Sequence, residues 1–134
     1  MTEQGYQSKI IKRIEAMGGI AINGNFTKAG TADLVCGYPV ELEELVRRGE
    51  FSVFETTHRL LHLHIEVKTE KDYHRVFRSI QEIEGRYVFN EDTKSLKKHE
   101  YLQITKLNKL RDLGGLGLIA WNFEQVEEYV NEQK

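Results

Sequence analysis

Two charged residues lie side by side on one face of a predicted strand. From residue 61 to residue 67 the odd positions are all apolar, which predicts a core-facing side, because alternate residues of a strand point to opposite faces. Glu66 and Lys68 lie on the other face, together with His62 and His64. A carboxylate that can bind a cation and an ammonium that can contact a phosphate are groups that suit phosphodiester hydrolysis. On most half-buried strands, however, such charges are only solvated.

A third chemically useful residue lies at the start of another predicted strand. Gly30-Thr31-Ala32-Asp33 is a glycine-containing turn, and the apolar residues 34–36 follow it. If the two strands are neighbours in one sheet, Asp33 comes close to Glu66 and Lys68. Carboxylates offer the hard oxygen ligands that Mg²⁺ and Mn²⁺ prefer. The two strands therefore predict a divalent-metal site with a lysine beside it.

The order of these motifs resembles the PD-(D/E)xK nuclease superfamily, and most of all its virus-type replication-repair nuclease branch (the VRR-NUC domain). Residues 26–34 resemble the family's glycine-x-proline-aspartate-leucine turn, with Ala32 in place of the proline, and Ile65-Glu66-Val67-Lys68 follows. A predicted first helix ending at Gly18-Gly19, a later helix with Gln103, and the run Leu113-Gly114-Gly115 agree in order. The resemblance extends from about Glu3 to about Val130.

This resemblance implies an α/β fold with a mixed central sheet flanked by helices and a restriction-endonuclease-like core. We expect one domain over residues 1–134, with about five or six strands in the central sheet and insertions at about 39–57 and 70–95. Over residues 40–113 the patterns predict an amphipathic helix over 40–48, strands over 51–56 and 61–68, and helices over 71–84 and 96–113. In the last helix the inward residues are predicted to be Leu96, Leu102 (or Tyr101), Leu107, Leu110 and Leu113.

The expected cofactor is Mg²⁺ or Mn²⁺. Asp33 and Glu66 would bind it through their carboxylates, and the Val67 carbonyl would be a further ligand. The resemblance adds a polar residue of the first helix, for which both Glu3 and Gln7 remain candidates because they lie four residues apart on one helical face.

Two residues are predicted to act beside the cation. Lys68 would orient or help to deprotonate the attacking water, and Gln103 would hydrogen-bond the nucleophile or hold the lysine. Without the resemblance, Gln103 is equally compatible with an exposed helix glutamine. A rival interpretation is a zinc site built from His58, His62 and His64, although zinc sites usually need three or four nitrogen or sulfur ligands and no second cysteine is present.

DNA contacts are expected from two basic segments. Thr27 and Lys28 lie in a polar loop, and Lys71, Arg75 and Arg78 lie on the predicted helix over residues 71–84, where the alternative is a solvated face. The formal net charge of −2 argues against a protein that coats DNA tightly without selectivity.

The resemblance implies a structure-selective DNA endonuclease that cuts branched DNA such as four-way (Holliday) junctions and acts as a homodimer. A general or restriction-like DNA nuclease and a non-catalytic DNA-binding accessory protein are the alternatives, and the presence of Asp33, Glu66 and Lys68 together weighs against the second. No apolar run approaches the ~20 residues of a membrane span, and Cys36 is the only cysteine. We therefore expect an intracellular protein with a reduced core cysteine, and the viral relatives imply a phage-encoded protein in the cytoplasm of a bacterial host.

Overall fold

A computed structural model describes residues 1–23 and 33–133 of the chain. In chain order the elements are α1 (Glu3–Ala16), β1 (Ile20–Asn23), β2 (Leu34–Arg48), β3 (Phe51–Val67), α2 (Glu70–Val76), β4 (Ile80–Ile83), β5 (Arg86–Phe89), α3 (Lys98–Asp112), β6 (Leu116–Ala120) and α4 (Phe123–Glu132). The central sheet has the strand order β1-β2-β3-β6, and β4 and β5 form a separate hairpin. The first three strands are antiparallel, whereas β6 runs parallel to β3. The sheet is therefore mixed.

Helices cover the central sheet on both faces. On one face α1 and α4 pack on the inward side chains of β2 and β3, and this core includes Ile14, Leu63 and Val126. On the other face α2, α3 and the β4–β5 hairpin form a second core around Ile104 and Ile119. The prediction of an α/β fold with a mixed sheet flanked by helices is confirmed. The described residues contribute four strands to the central sheet, fewer than the five or six that we expected.

Residues 40–48 are not a helix, contrary to the prediction. They continue β2, and they pair with residues 51–59 across a turn in which Gly49 has a φ of +61°. Leu42, Leu45 and Val46 are spaced as on a helix, but this long-range pairing overrides the local pattern. Pro39 is tolerated within β2 because β1 pairs only with residues 34–37, so no described strand pairs with that edge of β2 at the proline.

The predicted helix over residues 71–84 is also wrong. The helix α2 ends at Val76, and residues 80–83 form β4, which is joined to β5 by a turn in which Glu84 and Gly85 both have positive φ. Such turns favour a tight hairpin and exclude a helix. Val76 and Ile80 are buried, but Ile83 is exposed.

The helix over residues 96–113 exists as α3, and its inward face agrees with the predicted one only in part. Leu107 is buried and Leu96 packs against the second core, as predicted. Tyr101, Leu102 and Leu113 are exposed, and Ile104, which was not among the predicted residues, is buried. Gly114, with a φ of +88°, ends the helix as expected.

Cys36 is a buried, free cysteine, as the sequence indicated, and burial raises the pKa of its thiol to about 12. Over the described residues, none of the helices has the length and apolar character that crossing a membrane requires.

Candidate metal-binding and catalytic site

Three carboxylates meet at one end of the sheet. Asp33 directly precedes β2, and Leu34 pairs with Ile65, so Asp33 lies beside Glu66 near the end of the antiparallel strand β3. The Asp33 carboxylate also accepts a hydrogen bond from the Val67 N–H at 3.0 Å. With Glu3 these residues form a group in which one carboxylate oxygen of each lies within 4.8 Å of the others. The prediction that two adjacent strands bring Asp33 and Glu66 together is confirmed.

The first helix places Glu3 at this cluster. The Thr2 hydroxyl accepts a hydrogen bond from the Gly5 N–H at 3.2 Å, so α1 begins at Glu3 and this residue lies in its first turn. Burial raises the pKa of Glu3, and the negative charge of Asp33 raises it further, against the opposing effect of Lys68. Gln7, the other candidate on this helix, is buried one turn further along.

Glu66 is the most strongly perturbed carboxylate of the group. Only 2% of its surface is exposed. Burial, followed by the hydrogen bond and the charge of Asp33, raises the pKa of Glu66 to about 10. The charge of Glu3 adds to this rise, and the charge of Lys68 opposes it without reversing it. A bound cation would lower the raised pKa values of Glu3 and Glu66 and so favour their ionised forms.

Gln103 joins Glu66 to Lys68. Its Nε2 donates a hydrogen bond to Glu66 Oε1 at 2.8 Å, and its Oε1 accepts one from Lys68 Nζ at 3.2 Å. The prediction that Gln103 holds the lysine therefore agrees with this geometry. The amide has a donor and an acceptor on separate atoms, so it can contact an ammonium and a carboxylate at the same time.

Glu100 is a buried site residue that sequence reasoning missed. Its Oε2 lies 3.1 Å from Lys68 Nζ, and both of its oxygens accept hydrogen bonds from the Arg75 guanidinium at 2.8 and 2.9 Å. The Lys97 N–H donates to the same carboxylate at 2.8 Å. Had Ile104 and Leu107 defined the inward face of α3, Glu100 would have fallen on it, because it precedes them by four and seven residues.

The surroundings of Glu100 favour its charged form. Burial opposes ionisation, but the hydrogen bonds from Arg75 and the Lys97 N–H and the charge of Lys68 outweigh it, so the pKa of Glu100 falls to about 2. We define Lys68, Gln103, Glu100 and Arg75 as the polar network of the site. It connects the carboxylate cluster to α2 through hydrogen bonds and ion pairs.

The predicted DNA contacts of α2 need correction at Arg75. Its guanidinium donates to Glu100 and to the Ser95 carbonyl, and it contacts Asp72 at 3.4 Å, so it belongs to the polar network rather than to an exposed basic face. Lys71 and Arg78 are exposed, and Arg78 lies beyond the end of α2. Thr27 and Lys28 lie outside the described residues.

Residues 1–23 and 33–133 contain no histidine cluster with the spacing of a zinc site. His58 is exposed and lies 3.7 Å from the Glu41 carboxylate. His64 is half-buried, and burial together with the nearby His62 lowers its pKa. Within the described ranges, the group that has metal-binding spacing consists of Glu3, Asp33 and Glu66.

The donor set fits a hard divalent cation. Three carboxylates from three elements, converging within 4.8 Å, match the oxygen coordination of Mg²⁺ or Mn²⁺ better than that of zinc. The lysine beside them can donate hydrogen bonds to a phosphate or to water. Taken together, these groups can bind a cation and a phosphodiester at the same place. Comparisons of the chain with models of protein families, with curated proteins and with solved structures give no match.

Proposed function

We propose that the protein is a Mg²⁺- or Mn²⁺-dependent DNA endonuclease with a restriction-endonuclease-like core. The observation that carries this proposal is the joining of the three-carboxylate cluster to Lys68 through Gln103. Either part alone would be weak support, because exposed acidic groups often cluster without a metal. A buried glutamate that shares its hydrogen-bond partner with a buried lysine is more specific, because buried polar groups are costly without hydrogen-bond partners.

Glu3, Asp33 and Glu66 would hold the cation, with the Val67 carbonyl as a further ligand. When bound, the cation supplies Lewis acidity at the scissile phosphate and charge for the leaving oxygen. Asp33 is oriented by the Val67 N–H, and Glu66 by the Gln103 amide, so two ligands are fixed before a cation binds. Such preorganisation lowers the cost of assembling the site.

Lys68 would hold the attacking water or donate to a phosphate oxygen. Among the described residues its ammonium has two acceptors, Gln103 at 3.2 Å and Glu100 at 3.1 Å, and an ammonium has three protons to donate. One proton therefore remains for substrate or water. In this proposal Glu100 and Arg75 act as positioning residues, because they contact the lysine or its partner and not the reacting atoms.

We also propose that the substrate is branched DNA and that two copies act together. A four-way junction has approximate twofold symmetry and needs two cuts, whereas one chain has one such site. A twofold dimer would present two sites in matched orientation.

The dimer surface that we propose is the outer part of the β2–β3 ribbon, residues 41–60, called the arm below. It includes five of the large exposed apolar residues: Leu45, Phe51, Val53, Phe54 and Leu60. The arm has five acidic and three basic residues, which disfavours contact with phosphates and leaves a second copy as the better partner.

One face of the arm has a self-complementary charge pattern. Leu45 pairs with Phe54 across the ribbon, and Glu43 and Arg47 flank Leu45 on the same face. If two copies stack in opposite directions with Leu45 at the twofold axis, Glu43 of each copy lies over Arg47 of the other. The eight residues 41–48 span only about 26 Å, so we expect a weak, concentration-dependent dimer.

The proposed function is tested with labelled linear, flapped and four-way DNA in Mg²⁺, Mn²⁺ or chelator. We expect junctions to be cut fastest, and we expect chelator or Glu66→Gln to abolish cutting, while the exposed control Glu70→Gln cuts normally. Equal cutting of all three substrates would favour the general nuclease. Binding of DNA without cutting in either metal would favour the accessory protein.

A further inference from the structure

A second concave surface lies between α1 and the residues that follow β6. It has a volume of about 420 Å³, within the ~300–1,000 Å³ range of small-molecule sites. Aromatic and basic side chains dominate it, and its lining residues are Tyr6, Lys9, Lys12, Arg13, Trp121, Asn122, Phe123 and Glu124. We call it the Trp121 pocket. None of these residues belongs to the carboxylate cluster or to the polar network.

Aromatic rings form one part of the Trp121 pocket. Tyr6 and Trp121 meet edge to face, with ring centroids 6.3 Å apart and planes at 80°. Both residues are partly exposed. Aromatic side chains at the edge of a polar groove are the usual platforms on which unpaired nucleic-acid bases stack.

Two lysines supply unbalanced positive charge to this pocket. Arg13 is already engaged, because its guanidinium lies 4.4 Å from the centre of the Phe123 ring and 3.6 Å from the Glu124 carboxylate. Lys9 and Lys12 are exposed, and across residues 1–23 and 33–133 neither forms an ion pair. The pocket therefore combines stacking surfaces with cations available for a phosphate.

Two short stretches of chain connect the Trp121 pocket to the carboxylate cluster. Trp121 directly follows Ala120, whose carbonyl accepts the Lys68 N–H at 3.0 Å. Tyr6 lies one helical turn after Glu3 on α1. A DNA strand whose phosphate lies at the cluster would therefore bring a neighbouring nucleotide near the pocket.

We propose that the Trp121 pocket binds an unpaired nucleotide, with its base against Tyr6 and Trp121 and its phosphate at Lys9 and Lys12. This inference deepens the proposed function and rests on it for the identity of the substrate as DNA. It favours DNA that presents an unpaired base, at a flap or at a junction whose central base pairs open, because duplex bases are already stacked on their neighbours and cannot enter. The same chemistry would suit a free nucleotide, so the experiment must separate the two sources.

The sole tryptophan of the chain provides a direct readout. In chelator, where no cleavage can occur, we expect a short single-stranded oligodeoxynucleotide to quench Trp121 fluorescence in the full-length protein. A blunt duplex of the same sequence, a deoxynucleoside monophosphate and inorganic phosphate are the comparison probes, and each should quench at least tenfold more weakly at equal concentration.

Two variants test the two halves of the pocket. Lys9→Gln with Lys12→Gln should weaken oligonucleotide binding and reduce the slope of log affinity against log salt by about 0.7, since the two lysines hold one phosphate and each phosphate contact on a single strand contributes about 0.7. Lys98→Gln with Lys109→Gln removes the same charge from α3 and should leave both unchanged. Tyr6→Leu should weaken binding roughly tenfold. If Tyr6→Leu does not fold, the lysine variants still decide the question.

If the duplex quenches Trp121 fluorescence as strongly as the single strand does, the proposal is overturned, since the pocket would then recognise only the phosphate backbone. A monophosphate that binds as tightly as the oligonucleotide would overturn it in favour of a free-nucleotide site. An unchanged salt slope in the lysine variant would also overturn it. Quenching without cleavage in metal would instead refute the nuclease function and leave the pocket standing, so the two failures are distinguishable.

Discussion

The strands β2 and β3 have an inner part that is packed and an outer part that is not. In the inner part, Leu34 pairs with Ile65 and both are fully buried between helices. In the arm, Leu45 pairs with Phe54 in the same ribbon, yet these residues are 64% and 74% exposed. The backbone pairing is continuous from one part to the other. What differs is the cover, because α1 and α4 pack only on the inner part, which α3 contacts through the hydrogen bond between Gln103 and Glu66.

The difference in helical cover determines which part of the ribbon can hold a buried polar site. Helical cover on both faces removes Glu66 and Lys68 from solvent and supplies their partners from α3. Charged residues of the arm, such as Arg48 and Glu55, pair in water at 2.6 Å, and such an exposed pair contributes little to stability. The inner part therefore suits a site with perturbed ionisation, and the arm suits contact with another molecule.

The largest expected effect is the loss of cleavage when Lys68, beside the inner part, is changed. Lys68→Met keeps the length of the side chain and removes its ammonium, so we expect cleavage to fall by a factor of about 10² to 10⁴. Lys109→Met removes an exposed lysine from α3 and serves as the matched control. Single-turnover cleavage at saturating Mg²⁺ measures the effect. Retention of wild-type rates in Lys68→Met would exclude the lysine from the reaction.

Truncating an apolar side chain should reduce the free energy of unfolding much more in the inner part than in the arm. Leu63→Ala in the packed part should reduce the free energy of unfolding by about 2–5 kcal/mol, because it leaves a cavity between the helices and the sheet. Leu45→Ala in the arm should change it by less than about 0.5 kcal/mol in the monomer. Urea unfolding at low protein concentration compares them. Similar losses in the two variants would show that the arm is covered in solution.

The polar network should stabilise the fold only above acidic pH. The folded pKa of Glu100 is about 2, below its ordinary value of 4.5, so its contribution is fully present above about pH 4.5 and is lost as the pH falls toward 2. The contribution is at most roughly 3 kcal/mol. Between pH 4.5 and 2, Glu100→Gln should therefore lose less thermal stability than the wild type, as measured by thermal unfolding. The same steep slope in Glu100→Gln as in the wild type and in Glu70→Gln would contradict this role.

The smallest effect is expected from the charges of the arm. Glu43→Arg and Arg47→Glu should each weaken self-association several-fold, because either change places like charges opposite each other across the proposed twofold axis. A mixture of the two variants should associate like the wild type, since the charges again match. Leu113→Glu, which alters an exposed apolar residue elsewhere, is the control. A wild-type protein that stays monomeric at high micromolar concentration in light scattering would refute the dimer.

Local patterns sufficed for the inner part and failed for the arm. The alternation that ends at Glu66-Val67-Lys68 is a property of the strand itself, so it predicted which side chains share a face. The pairing of residues 40–48 with residues 51–59 depends on contacts outside each segment, and Leu42, Leu45 and Val46 had a helical spacing. Glu100 was missed for a related reason, since only packing on the sheet selects the inward face of α3. Arg75 looked like a surface cation because nothing local indicates its buried partner.

Titration of the full-length protein with Mn²⁺ tests the central proposal most directly. We expect one site in the wild-type protein, at least a hundredfold weaker binding in Glu66→Gln, and unchanged binding in the exposed control Glu70→Gln. The removed carboxylate is one of three that converge within 4.8 Å, so its loss should affect affinity without altering the fold. Absence of Mn²⁺ binding, or equal binding in Glu66→Gln and the wild type, would contradict a metal site at this end of the sheet.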